Sequence, residues 1–210
     1  MGPNDVRRQW ADRSGEFSPE YYAYYGPNET SEAIHQILDD AIDPSASVLE
    51  LGCGSGRHLS HLRDNGFENV YGIDINDDSF EVMREAYPEL AASGTFYAAA
   101  IEDVVEEFDD GQFDVVYSIE TLQHIHPDDA WVFEELARCT NDLLITVENE
   151  GADDNQTSGP DVNDSEYDFP LYYRNWNDIF TQFGFSQRDV ARDDPDTLRV
   201  FERQDSYIDA

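Results

Sequence analysis

Val48-Leu49-Glu50-Leu51-Gly52-Cys53-Gly54-Ser55-Gly56-Arg57 reads as a buried strand that runs into three alternating glycines opening a helix. Such a turn lets a ligand approach the backbone where a Cβ would block it. A dinucleotide fingerprint, Gly-x-Gly-x-x-Gly, requires glycine at position 57, where this chain has Arg57. A phosphate-cradling loop would end in Gly-Lys-Ser/Thr, and the chain has no lysine. Both of those nucleotide readings fall.

Outward from this turn, apolar runs of strand length lie at Ser47–Leu51, Asn69–Ile73, Thr95–Ala99, Phe113–Ser118 and Leu143–Val147. Helical spacing separates them at Gly56–Asn65, Asp77–Tyr87, Glu102–Phe108 and Pro127–Cys139, with Pro127 placed in a first turn. Strand alternating with helix predicts a parallel sheet covered on both faces. After Val147, residues Glu148 to Pro170 are rich in Gly, Asp, Asn and Ser without periodicity, the character of a lid or binding loop. A helix at Tyr173–Phe183 is expected next, then strands Phe185–Val190 and Thr197–Glu202 around Arg192-Asp193-Asp194-Pro195-Asp196, an antiparallel hairpin. The expected fold class is α/β: a doubly wound, seven-stranded, mostly parallel sheet ending in that hairpin. Residues 1–44 read as a helical annex with Trp10, Phe17, the run Tyr21-Tyr22-Ala23-Tyr24-Tyr25 and an amphipathic helix near Glu29–Ala41. The annex is expected to cap the sheet or close over a ligand, and residues 45–210 to form the main domain.

Composition excludes other classes. The chain has 210 residues; its 12 basic side chains are all Arg, against 47 Asp and Glu, for a net charge of −35. A hydrophobic content of 40% with 13% aromatics is too high for an acidic disordered segment. The acids are scattered, not gathered in a tail, which reads as adaptation to a salt-saturated cytoplasm, where a Debye length of about 3 Å at 1 M removes self-repulsion. So negative a surface argues against nucleic acid as a partner. No run of 18 apolar residues predicts a membrane span, and the first residues lack a signal-peptide core, so a cytoplasmic protein is expected. Two cysteines, Cys53 and Cys139, are too few for a disulfide framework or a cysteine-zinc cluster.

The glycine turn with its preceding Glu50 resembles the first motif of the class I, Rossmann-like S-adenosylmethionine-dependent methyltransferases, with Gly52, Gly54 and Gly56 in the motif's glycine positions. Tyr71-Gly72-Ile73-Asp74-Ile75 is similar to the family's second landmark, an acidic residue closing the second strand. Ala100-Ile101-Glu102-Asp103-Val104, Phe113 to Ile125 and Trp176 to Phe185 resemble three later landmarks, so the resemblance spans about residues 45 to 203. It implies S-adenosylmethionine as cofactor and S-adenosylhomocysteine as product, with Asp74 and Ile75 at the ribose and Ile101 and Glu102 at the adenine. Cys53 is expected to be buried within the motif, and Ser118 to close the site from the fourth strand. Arg57 and Arg13 are candidates for the methionine carboxylate.

The acceptor is expected to be a small molecule, because the chain lacks the Asn/Asp-Pro-Pro-Tyr and Pro-Cys signatures of nucleobase methylation. Methylation of protein or RNA, or cofactor binding without turnover, are the alternatives. His124 and Glu120 are the candidate catalytic residues, with Glu148 and Tyr172 as further candidate bases. Phe169, Tyr172, Tyr173 and Trp176 are possible walls of an acceptor pocket. His58 and His61, one helical turn apart, read as a surface pair, and His124-x-His126 with Asp128 as a solvated group; no metal is expected. The residues set no oligomeric state.

Overall fold

The computed structural model describes residues 2–151, 161–163, 170–193 and 195–204. The chain forms two compact units, residues 1–106 and 107–210.

The first unit opens with α1 (Pro3–Ala11), α2 (Pro19–Tyr25) and α3 (Glu29–Ala41), the expected annex. Its starts are written in the sequence: Ser18 caps α2 ahead of Pro19, and the Asn28 side chain accepts from Ser31 N at the start of α3. Next come β1 (Ser47–Leu51), α4 (Arg57–Asp64), β2 (Asn69–Asp74), α5 (Asp78–Ala86), α6 (Pro88–Ser93), β3 (Thr95–Ala98) and α7 (Ile101–Val104). The strands lie in the order β3-β2-β1, parallel throughout, with Glu50 paired to Gly72 and Asp74 to Ala98. Val48, Leu49, Leu51, Leu59, Leu62 and Ile73 are buried around them.

The second unit contains β4 (Phe113–Ile119), α8 (Val132–Cys139), β5 (Thr140–Asn149), β6 (Asp161–Asn163), β7 (Leu171–Tyr173), α9 (Trp176–Phe180), β8 (Phe185–Asp193) and β9 (Asp196–Arg203). Here the order is β4-β5-β9-β8, with β4 and β5 parallel and β9 and β8 antiparallel, while β6 and β7 form a separate antiparallel pair. Five parallel strands and a terminal hairpin are the mixed α/β class expected.

Three expectations need correction. Pro127 starts a 3₁₀ turn ending at Asp129 instead of the helix, which begins at Val132; Trp131 stays 40% exposed because it lies outside the buried face of Val132 and Leu136. Tyr173 belongs to β7, since Arg174 and Asn175 intervene and the Asn175 side chain caps α9 by accepting from Asn177 N and Asp178 N. The hairpin strands are longer than expected, closing to a tighter turn between Asp193 and Asp196. Among the described residues, no helix is long and apolar enough to cross a membrane.

Two glycines of the turn do different work. A Cβ on Gly56, whose φ is +84°, would lie 2.6 Å from Leu90 Cδ2 and 2.9 Å from Met83 Cε, so this glycine lets α4 pack against α5 and α6. Gly54, at φ +52°, would place a Cβ in open space. Overpacking and left-handed strain together make Gly56→Ala cost about 2–4 kcal/mol, whereas Gly54→Ala costs about 1–2 kcal/mol from strain alone. Denaturant unfolding of the two variants in concentrated KCl measures the difference.

Candidate functional site

In the first unit the glycine turn and the end of β2 are clasped together. Asp74 Oδ2 accepts from Gly54 N at 2.7 Å, and Oδ1 accepts from Asn76 N at 2.8 Å and from Ser79 Oγ at 3.0 Å. Cys53 N donates to Ile73 O at 2.9 Å, fixing the same loop from its other end. Burial raises the Asp74 carboxyl above its ordinary range, and the hydrogen bonds from Asn76, Gly54 and Ser79 oppose that shift. A carboxylate has about four acceptor positions. Three are taken here, which leaves one on Oδ2.

Around this clasp, Glu50 is buried on β1 and Ile75 half-buried at the end of β2. Cys53 is buried, and desolvation, with Asp74 and Glu50 nearby, drives its thiol well above the ordinary value, so it carries no nucleophilic thiolate. Its space is made by Gly72, where a Cβ would sit 2.6 Å from Cys53 Sγ. Ile101 and Glu102 lie buried at the start of α7, and the Glu102 carboxylate accepts from Arg7 Nε of the annex at 3.2 Å.

The annex is tied to the glycine turn through a directed chain. Arg57 Nε donates to His58 Nε2 at 3.1 Å, which leaves His58 Nδ1 to donate to Ser31 Oγ at 2.7 Å; Ser31 Oγ donates onward to Asn28 Oδ1 at 3.2 Å. The Arg57 guanidinium lies over the Tyr22 ring, 4.7 Å from its centroid. His58 is therefore no surface group: it is buried, and desolvation lowers its pKa to about 3, keeping it neutral. Arg13 Nε donates to Glu16 O at 2.8 Å, while its own carbonyl accepts from Asn76 Nδ2 at 3.0 Å, which fastens the annex beside Asp74.

In the second unit the loop after β4 is gripped on both sides. Glu148, fully buried, accepts from Thr121 N at 3.1 Å, Leu122 N at 3.0 Å and Gln123 N at 3.1 Å, and also from Ser118 Oγ. Arg174 donates to the carbonyls of Leu122, Ile125 and Tyr172, with its guanidinium 5.2 Å from the Phe133 ring centroid and 5.7 Å from that of Trp176. Burial lowers the Arg174 pKa to about 10 and raises that of Glu148 to about 7. Both Glu148 and Ser118 are thus committed to holding the loop, and Glu148 does not serve as an open base. Trp176 is core, fully buried against Phe133 and Phe180, and forms no pocket wall. Tyr172 is buried and meets His126 edge-on, and Tyr173 is half-buried; Phe169 lies outside the described residues.

His124, half-buried on the gripped loop, has Nδ1 3.4 Å from Pro170 O. A carbonyl only accepts, so Nδ1 carries the hydrogen. Burial lowers the pKa to about 4, and the imidazole is neutral at neutral pH. Glu120 is exposed, with a left-handed φ of +50°, a conformation costing about 1–2 kcal/mol in a non-glycine residue. Burial, with the charge of nearby Glu120, raises the Asp196 pKa to about 7. His126 Nδ1 accepts from Asp128 N at 3.1 Å, a local turn contact.

Comparison with known proteins bears on this arrangement. Residues 48–142, from β1 into β5, match the model of the methyltransferase domain family. This stretch is similar to methyltransferase domains. The chain is also similar to the mitochondrial ubiquinone biosynthesis O-methyltransferase of Saccharomyces cerevisiae, 36% identical over 52% of this chain and 34% of that protein. The ubiquinone biosynthesis O-methyltransferase of Hahella chejuensis is 30% identical over 69% of this chain and 58% of its own length. The chain thus spans about a third to somewhat over half of these relatives. Among solved structures, magnesium protoporphyrin IX methyltransferase from Synechocystis with bound SAM has a TM-score of 0.62 at 20% identity, covering 96% of this chain and 91% of that one. Geranyl diphosphate C-methyltransferase from Streptomyces coelicolor has a TM-score of 0.69 at 12% identity, covering 96% and 98%. At these identities the structural likeness establishes the Rossmann-like methyltransferase fold.

Sequence reasoning missed Arg7, Asn76, Gln123 and Arg174. Arg174 carried a signal: a cation between Tyr173 and Trp176, in a chain with 12 basic residues, is conspicuous. Glu148→Ala strips the acceptor from three backbone N–H groups and costs about 3–5 kcal/mol of stability at pH 6. Because the folded Glu148 pKa is raised, its stabilisation is fullest below pH 4.5 and is lost as pH rises through about 7. Chemical unfolding across this range tests both statements, since the alanine variant should lack that pH-dependent step.

Proposed function

We propose that the chain is an S-adenosylmethionine-dependent methyltransferase acting on a small-molecule acceptor, with S-adenosylhomocysteine as product. The observation that carries this reading is the open space above Gly54 in a glycine turn held by Asp74, inside the stretch that matches the methyltransferase domain. The cofactor supplies an electrophilic methyl on a sulfonium, so the protein's task is to bind, align and exclude water. Gly52 and Gly54 offer bare backbone, Asp74 accepts one ribose hydroxyl at its remaining position, and Ile75 and Ile101 supply apolar contact. Glu50 contributes negative charge near the cationic cofactor.

For the acceptor, the neutral His124 imidazole on the gripped loop is the candidate base, and Glu120 is the exposed alternative. The strained backbone at Glu120 supports a functional role, because such strain persists where surrounding structure enforces it. The small-molecule reading rests on the relatives, whose names place them on ubiquinone and similar compounds. We further propose that the protein works in concentrated salt: 47 acids against 12 arginines and no lysine repel one another in dilute buffer.

Calorimetry in multimolar KCl tests the reading. S-adenosylhomocysteine should bind saturably and NAD should not, and binding should vanish with the fold on dialysis into low salt. Of its 2′-deoxy and 3′-deoxy analogues, one should bind about 10–100-fold more weakly and the other almost normally, since a hydrogen bond to a charged group is worth about 1.5–3 kcal/mol. Equal loss with both analogues would contradict the single free position on Asp74, and no binding to folded protein would contradict the cofactor.

A further inference from the structure

Away from the glycine turn, α3 and α4 bring together a different set of groups. Glu32 and His35, three residues apart on α3, and His61 on α4 each offer one ligand atom, all within 4.8 Å of one another. This is the one such group of three among the described residues. From it we infer a divalent transition-metal site that clamps α3 to α4 through two imidazoles and a carboxylate.

The chemistry and geometry agree. Imidazole and carboxylate are the donors that suit zinc and its neighbours, not calcium or magnesium, which want more oxygens. Zinc bonds of about 2.0–2.1 Å place tetrahedral ligand atoms about 3.3 Å apart. His61 Nε2 and Glu32 Oε2 already stand 3.2 Å apart. The carboxylate is aimed by Gln36, whose Nε2 donates to Glu32 Oε1 at 2.8 Å and leaves Oε2 turned to His61. The His35 ring stands edge-on to His61 at 5.6 Å between centroids, and its Nδ1 is buried with no hydrogen-bond partner. A buried imidazole nitrogen without a partner is costly unless something takes its lone pair or proton.

Three protein ligands leave at least one position to water or an outside group. The arrangement cross-links the annex to α4, the helix that begins at Arg57 directly after the glycine turn. His58, on the same helix, is excluded from the set by its bonds to Ser31 and Arg57.

The test is titration of the full chain with Zn2+ against a chromophoric chelator in concentrated KCl, where salt screens loose attraction to surface acids. One equivalent should bind at pH 7.5. His35→Gln and His61→Gln should each abolish it, and Gln36→Ala should weaken it about 10-fold as an outer-shell partner. His126→Gln, at an imidazole whose Nδ1 lies 3.5 Å from Asp128 Oδ2, should change nothing. Circular dichroism establishes that each variant is folded, and Glu32→Gln, at an exposed side chain, keeps the test decisive should an imidazole variant unfold. Absence of stoichiometric binding, or binding that survives loss of these side chains, would overturn the site.

Discussion

The constraint on which the candidate cofactor site depends is the hydrogen bond from Gly54 N to Asp74 Oδ2, 2.7 Å long. It joins the turn after the first strand to the end of the second, and Asn76 and Ser79 hold the other carboxylate oxygen in place. The loop is thereby pre-organised with a glycine facing open space, and no ordering cost remains for a ligand that settles there. Gly56 and Gly72 serve the same end by packing: one admits Met83 and Leu90, the other Cys53, so that helix and strands draw close beneath the turn.

The second unit uses charge in a comparable way. A carboxylate collects the N–H groups of residues 121–123, and a guanidinium collects carbonyls of residues 122 and 125. An irregular loop whose polar groups would otherwise lack partners thus becomes a fixed platform for His124. A carboxyl and a guanidinium suit this purpose because each satisfies several backbone groups at once, in a core that Phe133, Trp176 and Phe180 make apolar. The scarcity of cations makes the placement of Arg7, Arg57, Arg174 and Arg199 informative. Arg199 closes a bidentate pair with Glu150, at 2.7 and 2.6 Å, and each of the four is used inside the structure.

Much of the architecture was legible in the chain. Alternating apolar runs and helical spacing located the strands and the amphipathic helix near Glu29–Ala41. Boundaries moved where a side chain overrode periodicity, as when the cap formed by Asn175 delayed α9 to Trp176. The glycine turn and Asp74 were legible because their chemistry is local and strictly spaced. Partners distant in sequence were not: Glu148 lies 27 residues from Thr121, and Arg7 lies 95 residues from Glu102. Nothing in periodicity signals such pairings. His58 looked like an exposed neighbour of His61, yet Ser31 and Arg57 draw it inside, while His61 turns to Glu32.

The most direct test of the central claim is a crystal structure of the protein grown in concentrated KCl with S-adenosylhomocysteine. The account predicts the ligand's ribose against the free lone pair of Asp74 Oδ2 and its backbone contact at Gly52–Gly54, with the Gly54–Asp74 hydrogen bond retained. A ligand bound elsewhere, or a turn that must break that hydrogen bond to admit it, would contradict the account.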